Sequence, residues 1–144
     1  MEPCDGNKIP YGDPLSRPFW AAASRHQLVV QKCGGCGCHQ FYPRPFCMVC
    51  ASDDVVWAPV SGAATVYSVT TVHLQIAPEF EPPYQVAVVE LDVGPRLLTR
   101  IEGGNVAIGD PVQVTWERRD GLPPLPVFRR VPVDKRQAFA VSQT

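Results

Sequence analysis

Two Cys-x-x-Cys pairs, Cys33/Cys36 and Cys47/Cys50, fall within KCGGCGCHQFYPRPFCMVC (32–50), and no other feature constrains the chain as much. A tight loop turns both thiolates of a pair to one side, and two such loops facing each other close a tetrahedron around a metal ion. Gly34, Gly35 and Gly37 permit positive φ in the first loop, whereas Cys47-Met48-Val49-Cys50 has no glycine, which predicts a different or looser second loop. Cys38 is surplus: in Cys36-x-Cys38 the alternate side chains diverge along an extended chain, and His39 is displaced in the same way. The predicted metal ligands are therefore Cys33, Cys36, Cys47 and Cys50. Four thiolates leave no position for water or substrate, so the predicted cofactor is structural Zn(2+), with iron as the runner-up for the same ligands. A ribbon of about 25 residues buries too little apolar surface to fold alone, and the metal supplies the deficit.

The whole chain has 144 residues, room for one ordinary domain or a small module with an appendage. Thirteen Lys plus Arg against 14 Asp plus Glu give a net charge of −1, which disfavours a polyanion as the partner. No apolar run spans a membrane, and MEPCDGNKIPYGDPL lacks the basic-then-apolar pattern of a secretion signal, so a cytoplasmic location is expected. In a reducing compartment clustered cysteines bind metal or do redox work in preference to forming structural disulfides.

Sixteen prolines and 11 glycines predict short elements and many turns. Residues 1–30 read as an extended lead-in followed by a short helix in SRPFWAAASRHQ, with Ser16 as cap, Pro18 in the first turn and an end near His26. Residues 31–58 read as the metal ribbon, entered from Leu28-Val29-Val30 and left through Val55-Val56-Trp57. Residues 59–133 carry five strand signals. The first, TVYSVTTVHL, sets Val66, Ser68, Thr70 and Val72 on one face; the next sets Ala87, Val89, Leu91 and Val93 together, and the third Leu97, Thr99 and Ile101. Strands through Val112, Val114 and Trp116 and over 125–131 complete the set, and 134–144 is a polar tail. Five strands joined by Gly/Pro turns predict a mainly β fold closing as a small antiparallel OB-type barrel, with an SH3-like barrel or small sandwich as the alternatives.

The order of these features resembles a family of acyl-CoA-associated proteins, long classed as a domain of unknown function, that pair a rubredoxin-like zinc ribbon with an OB-fold. PFWAAASRHQLVVQKC, FYPRPFCMVC, SGAATVYSVTTVH, PYQVAVVELDVGPRLLTRI, IGDPVQV and PVFRR follow one another as in that family, over about residues 16–131. The family more often has Pro-Pro-Arg where this chain has Pro43-Arg44-Pro45. The resemblance implies an accessory subunit of a thiolase-like enzyme, or of a related hydratase- or aldolase-type enzyme acting on CoA thioesters, in acyl-CoA or aromatic, lipid or steroid metabolism. Such a subunit helps acyl-CoA bind and helps the partner assemble in a hetero-oligomer.

The chain offers no recognisable nucleophile motif and no Gly-rich phosphate loop, so the catalytic chemistry is expected to belong to the partner. Candidate acyl-CoA contacts are Tyr42, Arg44, His73 and Tyr84: Arg44 for phosphate, His73 for phosphate or carbonyl, the tyrosines for stacking. Arg100 reads as a surface charge. Phe19 and Trp20 need a surface to cover, either a partner protein or the chain's own ribbon. Two other functions fit parts of the pattern: a single-stranded nucleic-acid-binding OB-fold, and a thiol redox protein working through Cys38 or Cys4.

Overall fold

The computed structural model describes residues 13–132; the N-terminal lead-in with Cys4, and the polar tail, lie outside the described residues. Helix α1, Arg17–Ala23, has Pro18 in its first turn, where the missing N–H costs no hydrogen bond. Ser16 occupies the N-cap position without capping: its backbone is already helical (φ −93°, ψ −8°), and its hydroxyl donates to the Asp13 carbonyl instead. The exit is sharper. The amides of His26 and Gln27 turn back to the carbonyls of Ala23 (2.9 Å) and Ala22 (3.0 Å), with His26 at φ 55°, the paired hydrogen bonds that stop a helix through a left-handed residue. Phe19, Ala22 and Ala23 form the buried face, which lies against the chain's own sheets.

The ribbon follows as β1 (Val29–Cys33), β2 (His39–Gln40) and β3 (Val55–Pro59), in the order β2-β1-β3. Five further strands then close a barrel: β4 (Ala63–Val72), β5 (Tyr84–Leu91), β6 (Arg96–Glu102), β7 (Pro111–Arg119) and β8 (Leu122–Arg130), in the order β4-β5-β6-β8-β7. Four seams are antiparallel; the fifth, β6 with β8 at Ile101↔Phe128 and Glu102↔Arg129, is parallel. A closed ring with an odd number of strands cannot alternate all the way round, so one parallel seam is topologically required.

Ala87, Val89 and Leu91 face Leu97, Thr99 and Ile101 inside the barrel as their alternation predicts, and the hydroxyl of buried Thr99 donates to the Pro126 carbonyl at 3.2 Å. Strand β4 departs from its predicted face. Val66 pairs with Val89 but Ser68 with Val88, so Tyr67 is an extra, bulged residue. A one-residue insertion reverses which side chains point inward. Val66 is buried, Val69 packs on the core, and Ser68 and Thr70 are exposed.

The ribbon and the barrel share one core. Phe19, Leu28, Val29 and Val30 belong to the same apolar cluster as Val66, Val89, Leu97 and Phe128. At the join, Gly62 takes φ 82° and its carbonyl accepts from Val114 N at 2.9 Å; a Cβ there would run into the Val114 side chain. Among the described residues no helix is long and apolar enough to cross a membrane.

Candidate metal centre

The first pair sits at the end of β1 and the turn after it, the second in the turns before β3. Both turns are tied in the same way. Gly37 N donates to Cys33 O and Ala51 N to Cys47 O, both at 2.9 Å; Cys33 N donates to Cys38 O at 2.9 Å and Cys47 N to Ser52 O at 2.8 Å. Gly37 has φ 78° and Ala51 φ 63°. The second loop thus repeats the first without a glycine, contrary to the sequence-based expectation, because an alanine bears the left-handed conformation. Gly34 and Gly35 are not in that region. At Gly34 a Cβ would meet the side-chain carboxylate of exposed Asp54, and Gly34 N donates to the main-chain carbonyl of Asp54 at 2.8 Å.

The four Sγ atoms of Cys33, Cys36, Cys47 and Cys50 lie within 4.8 Å of one another. Cys33 and Cys50 are 3.5 Å apart, Cys36 and Cys47 3.6 Å. A tetrahedron with metal–sulfur bonds of about 2.3 Å has edges of about 3.8 Å, so the thiols already stand at coordination spacing. Backbone amides converge on the sulfurs: Gly35 N and Cys36 N on Cys33 at 3.3 and 3.5 Å, Val49 N on Cys47 at 3.4 Å.

Those amides, Cys36 N–H foremost, hold the Cys33 thiol down at about 6 against the effect of burial. Cys47 is lowered likewise by the amides of Cys50 and Val49. Cys36 is pushed up to about 12: the Cys38 amide pulls it down, but burial and the thiols of Cys38, Cys47 and Cys50 outweigh it. Cys50 also rises, as the Cys33 thiol and burial overcome the Ser52 amide. Two sulfurs ionise readily and two resist, which is what thiolates crowded without a cation must do; a bound metal ion lets all four ionise.

Cys38 is exposed and outside the group; its part in the turn is played by its carbonyl, as Ser52's is in the other. His39 stays in β2, paired with Lys32.

Gln31 and Gln40 were not singled out from the sequence, yet they lock the loop between the pairs. Buried Gln31 donates through Nε2 to Arg44 O and accepts from Arg44 N, both at 2.9 Å. Gln40 donates to Gln31 Oε1 (2.9 Å) and Phe46 O (3.1 Å) and accepts from Met48 N (3.0 Å). A buried amide in the middle of an apolar strand was the available signal, because such a group demands partners.

The candidate ligand contacts fall into two pairs on different units. Tyr42 and Arg44 sit on the ribbon loop, both exposed, with Tyr42 edge-on to Phe41 at 5.1 Å. His73 lies exposed just past β4, and Tyr84 begins β5 opposite Val72. Tyr84 lines a cavity of about 240 Å³ with Phe80, Leu98, Arg100 and Leu125. A neighbouring cavity of about 380 Å³ shares Phe80 and Leu125 with it and is also lined by Glu117, Arg119 and Leu122. Arg100 is no free surface charge: it is ion-paired with Glu117, stands 5.7 Å from the Phe80 ring, and has a buried Nε without a hydrogen-bond partner.

Phe19 is drawn into the chain's own core, 5.6 Å edge-on from Phe41, which leaves it little surface to offer a partner. Trp20 is half-buried beside it and receives the Arg119 guanidinium at 5.6 Å, tying α1 to the β7–β8 turn.

Comparison with known proteins adds the following. Residues 20–56 match the rubredoxin-like zinc ribbon domain of ChsH2, and residues 57–117 the C-terminal OB-fold domain of ChsH2. A probable enoyl-CoA hydratase alpha subunit of Thermomonospora curvata is 40% identical over 115 residues, 77% of this chain but 36% of the relative, so the chain spans about a third of that subunit's length. A DUF35 domain-containing scaffold protein of Methanocaldococcus jannaschii is 31% identical over 101 residues, 65% of this chain and 70% of the relative. Among solved structures, a chain of an Ltp2-ChsH2(DUF35) aldolase superposes with a TM-score of 0.76 at 36% identity, covering 82% of this chain and 95% of that one.

Proposed function

The chain belongs to the DUF35 family, as a ChsH2-type zinc ribbon joined to an OB-fold, and from that premise we propose that it is a non-catalytic subunit of a thiolase-type complex handling acyl-CoA. The observation that carries this reading is the 36% identical likeness along 95% of a chain of an Ltp2-ChsH2(DUF35) aldolase. In this reading Cys33, Cys36, Cys47 and Cys50 hold zinc, whose ligand shell they fill, so the ion holds the ribbon and takes no part in a reaction. The groove of Phe80, Tyr84, Leu98, Arg100 and Leu125 receives part of the thioester: apolar walls suit an acyl or pantetheine chain, and the guanidinium supplies one fixed donor. Arg44, held by its backbone with an exposed side chain, and His73, exposed just past β4, are the proposed contacts for phosphate, with Tyr42 on the same ribbon loop as Arg44.

The test is a pull-down of the tagged chain from its native host together with a thioester assay of the chain alone. A thiolase-like protein is expected to co-purify, the isolated chain to turn over no acyl-CoA, and metal analysis to find one zinc. Turnover by the chain alone, or purification as a solitary protein, would reject the reading. Tyr84→Ala is expected to weaken acyl-CoA binding by the complex about tenfold without changing its assembly.

A further inference from the structure

Arg100 carries an N–H that the fold leaves unused. Among the described residues its Nε is the single buried side-chain nitrogen or oxygen with no hydrogen-bond partner. A buried donor left unpaired is costly, and native structures rarely keep one without a use for it. An ion pair holds the guanidinium in place: in the ring β6 and β7 are separated by β8, and the pair of Arg100 Nη2 with Glu117 Oε2 spans that strand. Glu117 is fixed in turn, since its backbone is paired with Leu125 of β8. Arg100 and Leu125 both line the cavity of about 240 Å³ that Tyr84 borders.

The same pair restricts what that N–H can take. With Glu117, Arg100 is neutral as a unit, so an anion arriving at Nε would lose its water without gaining a free positive charge. The surroundings add to this. Arg100 is the one cation lining a further cavity of about 260 Å³, which Glu81 and Glu102 also line, and in the cavity of about 380 Å³ Glu79, Glu117 and Asp120 outnumber Arg118 and Arg119. A carbonyl oxygen accepts the hydrogen bond without bringing a charge, and Phe80, Leu98 and Leu125 suit the carbon chain on either side of it. The Phe80 ring stands 5.7 Å from the guanidinium carbon and belongs to the loop between β4 and β5, so it is a cover that can give way where a strand residue could not.

Resting on the acyl-CoA reading above, we propose that the Arg100 Nε–H donates to a neutral carbonyl of the bound thioester once the Phe80 ring is displaced, and that Glu117 masks the guanidinium so that the phosphates lie outside this groove. Two carbonyl sources share this chemistry, the thioester itself and the amides of the pantetheine arm. The test is calorimetric titration of the metal-loaded full chain, together with any partner that co-purifies, with acetyl-CoA, CoA and inorganic phosphate. Arg100→Lys keeps a cation for Glu117 but puts a methylene where Nε stood, and is expected to weaken acetyl-CoA binding about tenfold. An equal loss for CoA assigns the amide as the acceptor, and a loss confined to acetyl-CoA assigns the thioester. Glu117→Gln, which unmasks the guanidinium, is expected to tighten inorganic phosphate binding at least about tenfold. Should Arg100→Lys fail to keep the wild-type circular dichroism, Glu117→Gln decides. Acetyl-CoA that binds the wild type and Arg100→Lys alike, or phosphate that binds the wild type and Glu117→Gln alike, overturns this inference and leaves the acyl-CoA reading standing; acetyl-CoA that binds no form of the protein overturns both.

Discussion

Ala51 stands four residues after Cys47 with φ 63°, as Gly37 stands four residues after Cys33 with φ 78°, and each amide closes its turn on the cysteine carbonyl at 2.9 Å. The two metal-binding turns are copies in backbone, one with glycine at the strained position and one with alanine. A side chain in the left-handed region costs on the order of 1 kcal/mol, partly offset by the greater freedom of glycine in the unfolded chain. Ala51→Gly is therefore expected to stabilise the metal-bound protein by about 0.5 kcal/mol and Gly37→Ala to destabilise it by about 1 kcal/mol, both read from denaturant midpoints. A destabilising Ala51→Gly would show that the alanine methyl makes packing contacts that outweigh its strain.

Because Cys38 and Ser52 fill the same place in the two turns through their carbonyls, Cys38→Ser exchanges one occupant for the other's chemistry. Unchanged metal stoichiometry and a stability change within about 0.5 kcal/mol are expected. Loss of metal would mean that the surplus thiol exchanges into the ligand shell.

Removal of the metal separates the two halves of the molecule. Chelation, or Cys47→Ser, is expected to abolish amide-exchange protection in β1–β3 while leaving it in β5 and β6, whose pairing needs no metal. Retained protection in a metal-free ribbon would contradict this.

The pH dependence of metal affinity tests the same point. Protons compete with the metal for sulfur, so affinity falls as pH falls, with a slope equal to the number of protons released. In a folded metal-free ribbon Cys33, held at about 6, has already lost its proton at pH 7 while Cys36, at about 12, keeps its own, so about three protons or fewer leave. In an unfolded ribbon all four thiols return to about 8.5 and nearly four leave. A slope near four at pH 7 is expected; three or less would mean the thiols keep their geometry without metal.

Gln31→Leu keeps roughly the volume but strands the N–H and C=O of Arg44 and removes a partner of Gln40. Unpaired backbone groups cost about 1–3 kcal/mol each where water cannot reach them, so a loss of about 2 kcal/mol is expected. The Tyr42–Arg44 loop should also gain mobility, visible as lower NMR order parameters while the metal stays bound.

Much of the fold was legible because it rests on local regularities. The thiolate spacing marked the ribbon, and strict alternation marked the inner faces of β5 and β6. Legibility ended where a single residue changed the parity or where distant strands set the surroundings. The Tyr67 bulge exchanged the faces of the second half of β4, which no periodicity can announce. Arg100 read as a surface charge because its partner Glu117 lies on β7 and Phe80 in the β4–β5 loop, and only barrel closure assembles them. Of the four candidate ligand contacts, Tyr84 alone lines the groove with Arg100.

The sequence by itself determined the chemistry and the order of parts: four thiols in two pairs, a short helix before them and strands after, since spacing and side-chain type act within a few residues. Tertiary structure decided everything that depends on which segments meet. It sent Phe19 inward against Phe41, used Gln31 to anchor a loop thirteen residues away, required one parallel seam to close five strands, and left the outer edge of β4 open. These follow from the closure of a ring and the filling of a shared core, which are properties of the assembled chain and of no single stretch of it.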